Sequence, residues 1–267
     1  MDALTRRQLL ALCRDFYAVQ AEGFDASRGH EPWPGWHRLA QSLPRARGSA
    51  EAPLRVLDVG CGNARLATCL ARELAEGAEA LDYVGVDASP ALLRAARARL
   101  APGLARRCRL VELDFLTDAV DGGRPGDALP PGPFDLVALM GVLHHVPGAD
   151  WRLALLAACA RRLAPGGRLA LAVWRFAGRP RFERRRVAWE ALGPVLGRTV
   201  DPARLEAGDG LLRFGADPER PPRYCHQVDE AEIAGWSSEL GLEGVDDYLA
   251  DGAEGDLNRY RILARPT

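Results

Sequence analysis

Lysine is absent from this 267-residue chain, whose 35 basic residues are all arginine. Together with abundant Ala, Gly and Pro, that usage is read as the codon bias of a GC-rich genome, which bears on composition and hardly on mechanism. An excess of either charge is missing too. The 35 basic and 36 acidic residues leave a formal net charge of −1, so no global field draws the chain to nucleic acid or to an acidic membrane, and any RNA contact is local. No CxxC pair occurs among Cys13, Cys61, Cys69, Cys108, Cys159 and Cys225, which excludes a zinc ribbon and a small disulfide scaffold and leaves free thiols in a reducing compartment. Long apolar runs are lacking as well. Leu9 to Leu12 is closed at once by Arg14 and Asp15, too soon for a signal or a membrane span, so a cytoplasmic protein without membrane contact is expected.

What the chain does have is a composition 48% apolar, enough for a sizeable core, and a length that suits one α/β domain with additions. Leu9, Leu12, Phe16 and Val19 recur at helical spacing and predict an amphipathic helix over residues 4–20 that covers one side of a site. After a Trp/Pro stretch at Glu31 to Trp36 and a Pro/Gly/Ser linker near Pro44 to Pro53, short apolar runs alternate with longer helical ones. That alternation predicts parallel strands with crossover helices. Strands are expected at Leu54 to Val59, Leu81 to Val86, Arg109 to Leu113, Phe134 to Leu139 and Gly167 to Trp174, with helices at about 64–76, 90–100 and 150–163. The strands are unbroken apolar runs, as a sheet covered on both faces requires. Thr117 to Pro133, rich in Gly, Pro and Asp, is expected as a surface loop. Arg175 to Arg186 holds six arginines against one Glu, followed by a helix to Leu196 and a Pro-rich loop to Pro222. Asp229 with Glu232 forms a capping box for one more helix, and Val245 to Leu249 and Tyr260 to Ala264 are closing strands. The organisation is thus an amino-terminal cap (1–53), a core (54–174), an Arg-rich cap (175–223) and a closing segment (224–267) of the same domain.

The strongest local signal is Val56 to Ala67, VLDVGCGNARLA, a buried strand running into a glycine turn and a helix. Gly60 and Gly62 let the backbone approach a ligand whose anionic group faces the free N–H groups of the helix. Alone, such a turn is equally explained by sterics. Context comes from the second strand, which ends in Asp87 and faces the paired hydroxyls of a ribose, whereas Ser89 suits a helix cap. At the third strand end Asp114 is positioned to accept from an adenine amino group and Phe115 to pack beside the ring. Three strand ends therefore point to one nucleoside. A dinucleotide site wants a third glycine where Arg65 stands, which disfavours NAD.

The ordered set LDVGCG, GVDAS, LDF, FDLVALMGVLHHV and LAPGGRLALAVW, over residues 54 to 174, resembles the motifs of the class I methyltransferases. The resemblance implies a Rossmann-like α/β fold, a mostly parallel seven-stranded sheet with helices on both faces and the last strand antiparallel. It also implies S-adenosyl-L-methionine as cofactor, with Asp58, Gly60, Gly62, Asp87, Ala88, Asp114, Phe115 and Met140 around it. Ala64 stands where that family usually has a third glycine, a change that costs little if the residue is already helical.

Outside the core, three segments are similar to the tRNA methyltransferases that esterify 5-carboxymethyluridine at the wobble position. They are Phe24-Asp25-Ala26-Ser27-Arg28 with Pro32-Trp33-Pro34, then Val142-Leu143-His144-His145, then Tyr224-Cys225-His226 with Glu230, Glu232 and Asn258-Arg259-Tyr260. This narrower resemblance implies tRNA as acceptor and a small zinc-ribbon activator protein as partner. A carboxylate acceptor is already ionised and needs alignment rather than deprotonation. On that reading Arg28 holds the carboxylate, His144 orients it, and Trp174, Tyr224 and His226 stack on the flipped base. His145 is read as structural, and a His144/His145 metal pair is excluded because adjacent side chains point apart. The arginine run fits RNA phosphates or a solvated helix face equally. Three functions compete: a tRNA methyltransferase, a small-molecule methyltransferase of quinone or natural-product type, and a non-catalytic cofactor-binding scaffold.

Overall fold

The computed structural model describes residues 1–27, 31–44, 47–193, 199–214 and 220–267, and of residues 22, 24–27 and 118 the backbone alone. Ten strands occur in it: β1 (Leu54–Val59), β2 (Leu81–Asp87), β3 (Cys108–Glu112), β4 (Phe134–Met140), β5 (Leu163–Trp174), β6 (Arg186–Val187), β7 (Asp209–Leu212), β8 (Arg223–His226), β9 (Glu243–Ala250) and β10 (Asn258–Ala264). Seven form one sheet in the order β3-β2-β1-β4-β5-β10-β9. β1 is parallel to β2 and β4, β2 to β3 and β4 to β5, whereas β10 runs antiparallel to both β5 and β9. The chain order reverses at β1, and ligands of open parallel sheets bind in the crevice outside the strand ends at such a point.

The unbroken apolar strands are explained by two separate cores. Leu57, Val59, Val137, Leu139, Leu169 and Leu171 point to one face of the sheet, and their alternates Leu54, Val56, Leu136, Ala138, Ala170 and Ala172 to the other. Both faces are roofed by helices, so a period-two pattern has no solvent side to show. Arg65–Glu73 and Pro90–Arg99 form the helices expected after β1 and β2, and Ala149–Ala160 the one before β5. The loop expected at 117–133 contains one short helix, Thr117–Val120.

Two additions cover the carboxyl edge of this sheet. The first is helix α1 (Ala3–Ser27), longer than its apolar periodicity indicates. The second is a three-stranded antiparallel sheet, β6-β7-β8, which no sequence pattern announced. It crosses the boundary expected at residue 223, since β8 ends at His226. The helix expected up to Leu196 lies partly outside the described residues; its described part holds β6, a short 3-10 turn at Trp189–Ala191 and the helical residues Leu192 and Gly193. Helix Glu230–Leu240 begins as expected, Asp229 accepting from the Glu232 N–H at 2.7 Å. The reciprocal half of a capping box is missing, because the Glu232 carboxylate pairs with Arg152 at 2.6 and 2.8 Å. No helix among the described residues is long and apolar enough to cross a membrane.

Candidate active site

At the carboxyl ends of β1, β2 and β4 lies a cavity of about 860 Å³. Its glycine-rich end is built by the turn after β1. Gly60 and Cys61 donate to the Val86 carbonyl at 2.8 and 3.0 Å, folding the turn onto β2. Gly60 has φ +74°, and a Cβ there would lie 2.5 Å from Val142 Cγ2. Nothing lies within 4 Å of a Cβ on Gly62, so its backbone is open to an approaching ligand. Ala64 has φ 57° and ψ 31°, left-handed and not helical, with helix Arg65–Glu73 starting one residue later. The condition under which alanine would be cheap there is not met, and the conformation costs about 1–2 kcal/mol.

Asp87 joins the two strand ends: one carboxylate oxygen accepts from the Gly62 N–H, the other from the Ser89 N–H, both at 2.8 Å. Each oxygen keeps acceptor capacity for a ribose hydroxyl. Asp58 is 2% exposed and accepts from the Tyr83 hydroxyl at 2.5 Å, while its Oδ1 is buried with no hydrogen-bond partner. Burial pushes its carboxyl up to about 7, Asp87 adding to the shift and the Tyr83 hydrogen bond opposing it. Burial also raises Asp87, against the hydrogen bonds from Ser89 and Gly62. Asp114 lines the cavity too, but it is largely committed to its own turn, accepting from the Leu116 and Thr117 N–H groups at 3.1 and 3.0 Å and from the Thr117 hydroxyl.

The opposite end is aromatic and cationic. α1 contributes Leu10, Cys13, Arg14, Tyr17 and Ala18 to the wall, one face at i, i+3, i+4, i+7 and i+8. Trp174, at the end of β5, packs 5.2 Å from His144 and 4.8 Å from Phe182. The Arg223 guanidinium lies between Trp174 and Phe16, 4.8 and 4.9 Å from their rings. His145 Nδ1 is 2.8 Å from the Tyr224 carbonyl, which only accepts, so that nitrogen carries the proton. In the neutral ring Nε2 is then an acceptor, 3.1 Å from the Tyr17 hydroxyl, which itself accepts from Arg223 Nη1 at 3.3 Å.

Asp58, Gly60, Gly62, Asp87, Ala88, Asp114, Phe115, Met140, His144 and Trp174 are thus brought to one cavity. Arg28 lies outside the described residues, as do the side chains of Phe24 to Ser27. Tyr224 and His226 do not line the cavity. Alternation along β8 points Arg223 and Cys225 one way and these two the other, where the Tyr224 hydroxyl and His226 Nδ1 both meet Asp209 Oδ1 at 2.7 Å. They belong to a polar network with Glu206 and Arg152 that fastens the small sheet to the core. His145, read as structural, does bond to backbone, yet it also lines the cavity. Tyr17 and Arg223 were missed. Tyr17 was submerged in the amphipathic pattern of α1, and Arg223 gave no sequence signal beyond its neighbours Tyr224 and His226.

Residues 57–169 match the family model described as "Methyltransferase domain". The chain is 37% identical over 258 residues to the ubiquinone biosynthesis O-methyltransferase of Xanthomonas oryzae pv. oryzae (strain PXO99A), covering 94% of this chain and 87% of that one. The chain belongs to the class I S-adenosylmethionine-dependent methyltransferases. The Xylella fastidiosa (strain 9a5c) ubiquinone biosynthesis O-methyltransferase is 38% identical over 214 residues, 79% of this methyltransferase and 69% of that protein. In fold the methyltransferase is similar to a Burkholderia thailandensis 1,6-didemethyltoxoflavin-N1-methyltransferase solved with S-adenosylhomocysteine, with a TM-score of 0.61, 16% identity and coverage of 98% and 91% of the two chains. Neither the matching family nor these relatives concern tRNA, so the wobble-uridine resemblance gains no support from them.

The residues fit the family's cofactor, S-adenosylmethionine. Its adenosine requires acceptors for paired hydroxyls, which Asp87 offers, and an unobstructed backbone, which Gly62 offers. Its ammonium and sulfonium are cations, and the cavity's acids, Asp58, Asp87 and Asp114, come from the ends of β1, β2 and β3 at the glycine end. Asp58, with a buried and unused oxygen, suits the ammonium.

Proposed function

We propose that this methyltransferase transfers the methyl group to a hydroxyl of a small aromatic acceptor, a phenol of the kind that precedes a quinone. The observation that carries this is the Tyr17–His145 pair in the aromatic end of the cavity. A phenol has a pKa near ~10 and is a poor nucleophile while protonated, so its methylation calls for a base. His145 has a fixed tautomer, its Nδ1–H held by a backbone carbonyl and its Nε2 directed at Tyr17. As the acceptor hydroxyl gives its proton to the Tyr17 oxygen, the Tyr17 proton passes to His145 Nε2. Arg223, donating to that same oxygen, favours the anionic form in between. Bound S-adenosylmethionine supplies the electrophilic methyl group. Trp174, Phe182 and Phe214 give a flat ring an apolar wall, and helix α1 and the small sheet exclude water above it. The name shared by the relatives, ubiquinone biosynthesis O-methyltransferase, supports an oxygen acceptor on a quinone precursor.

A carboxylate acceptor on wobble uridine needs no base, and this arrangement gives that reading no use for a proton relay. The test sets a dihydroxybenzene-type phenol beside total tRNA, with S-adenosylhomocysteine release and product mass as readouts. Methylated phenol and unmodified tRNA are expected; base-labile methyl on tRNA with no phenol product refutes the reading. Tyr17→Phe and His145→Gln should each lower kcat about 10²- to 10⁴-fold at unchanged cofactor affinity.

A further inference from the structure

We propose that the acceptor is an acid: the aromatic end of the cavity is an anion subsite centred on Arg223, with Arg181 and Arg185 beside it, and it takes a carboxylate carried by the ring. This rests on the small phenolic acceptor proposed above. Arg223 is 5% exposed and lines the cavity, and its Nε has no hydrogen-bond partner. Among the described residues no carboxylate pairs with it; its polar neighbours are Tyr17, Cys13 and Cys225.

A buried guanidinium without a counter-ion is costly, and the chain does not leave its other deeply placed arginines so. Arg152, 1% exposed, is paired with Glu232 and Glu206, and Arg6, 9% exposed, with Asp150. The aromatic rings on either side hold the Arg223 guanidinium by stacking, which a weakly hydrated planar cation tolerates, and fix its orientation without neutralising it. Arg181 and Arg185 line the same cavity, also without a carboxylate partner among the described residues, whereas Arg175, Arg179 and Arg186 of the same run are paired with Asp256 or Glu183. Burial, and after it the nearby charges of Arg181, Arg223 and Arg184, weaken the proton binding of Arg185.

The cavity's three carboxylates lie at the glycine end, where Arg65 and Arg94 also line it, and at the far end Arg181, Arg185 and Arg223 line it with no carboxylate partner among the described residues. A ring bearing both a hydroxyl and a carboxylate bridges this arrangement. The carboxylate supplies the counter-ion that no described residue gives Arg223, in the two-pronged geometry a guanidinium favours. The hydroxyl is left toward Tyr17, which Arg223 contacts directly. Recognition and deprotonation then share one arginine.

The test uses 3,4-dihydroxybenzoate and its methyl ester, which differ at the ring substituent chiefly in charge. Binding of each to the complex with S-adenosylhomocysteine is measured by calorimetry, and kcat/KM for each with S-adenosylmethionine. The acid is expected to bind tenfold or more tighter than the ester, the scale of a charge-assisted hydrogen-bonded pair. Arg223→Gln should bring the acid-to-ester ratio close to one, and Arg181→Gln should reduce it part-way. A ratio is read because it cancels any loss of folded protein or of relay function common to both ligands. Equal affinity of wild type for acid and ester, failure of both to bind, or an unchanged ratio in Arg223→Gln overturns the subsite. So does an Arg223→Gln variant that loses S-adenosylhomocysteine instead, which would assign the arginine to the cofactor's own carboxylate. Preferential binding of the acid with no turnover of either compound leaves the subsite standing and refutes the phenol reading alone.

Discussion

Cofactor affinity should depend on pH through Asp58. In the ligand-free protein this carboxyl titrates at about 7, because burial outweighs the Tyr83 hydrogen bond. Only the ionised form attracts the cofactor's ammonium, so below that pH binding must first expel a proton. For a group of pKa about 7 the affinity at pH 6 is roughly elevenfold below its plateau, about 1.4 kcal/mol, and at pH 8 it is within about 10% of it. Calorimetry with S-adenosylhomocysteine between pH 5.5 and 7.0 keeps the ligand's ammonium largely charged, since α-amino groups titrate near ~7.7–8.0. Repeating it in buffers of different ionisation enthalpy should count about 0.9 protons released at pH 6 and about 0.5 at pH 7. Tyr83→Phe removes the hydrogen bond that lowers the pKa and should move the midpoint upward, while Asp58→Asn should bind weakly with no pH slope. The same shift has the opposite sign for folding. A native pKa above the unfolded value makes the ligand-free protein lose stability as pH rises from about 4 to about 7, a slope that bound cofactor should erase. Constant affinity across the range, with no proton release, refutes the assignment of Asp58 to the ammonium.

Three further outcomes follow from the geometry. Gly60→Ala sets a methyl 2.5 Å from Val142 Cγ2 at a positive φ, and should abolish cofactor binding at a stability cost of about 1–3 kcal/mol, read by calorimetry and thermal melting. Arg152→Ala strips the partner from Glu232 and Glu206, and because both acids are partly exposed the loss should fall near the low end of the buried-pair range, about 3 kcal/mol; Glu232→Gln in the same background should then cost almost nothing. Asp251→Ala leaves the Gly35 N–H, the Asn258 amide and the Tyr260 hydroxyl without their shared acceptor. It should cost about 2–4 kcal/mol of stability, read by urea unfolding, and loosen helix Pro34–Gln41, visible as faster amide exchange there.

The cofactor half of the site was legible because it is built from consecutive residues at strand ends. Gly60, Asp87 and Asp114 each follow an apolar run that announces its own strand, and the parallel topology then brings the ends together without further information. Asp58 was legible as a motif position, while its buried, unused oxygen was not, since that depends on Tyr83 one strand away. The acceptor half is assembled from α1, the turn after β4, the end of β5 and β8, segments with no local pattern in common. β8 shows the limit well: Tyr224 and His226 are the chemically conspicuous residues in it, yet the alternation of the strand turns them to the Asp209 network and gives the cavity to Arg223. Which parity faces inward was set by the pairing of β8 with β7, a strand whose sequence, Asp209 to Leu212, reads as loop. The resemblance of Asn258 and Tyr260 to a family's end motif has a local cause here as well, since both hold Asp251 and through it Gly35, where any Cβ would collide with the Tyr260 ring at 2.3 Å.

A net charge of −1 argues against a global electrostatic field, but it says nothing about how charge is distributed inside the molecule. Most arginines of the 175–186 run are spent on neighbouring acids or on solvent, so counting them overstates any affinity for phosphates. The decisive cation, Arg223, is a single residue outside the run, and its weight comes from burial beside aromatic rings in a low-dielectric wall rather than from number. A surface run tracking RNA phosphates would act through many screened contacts and lose affinity steeply with salt. A buried guanidinium facing one carboxylate acts through one contact and is screened far less. Salt titration therefore separates the two recognition modes: if KM for the aromatic acid rises with ionic strength as steeply as a polyvalent contact demands, the arginines are working as an exposed patch, and the argument from the burial of Arg223 fails.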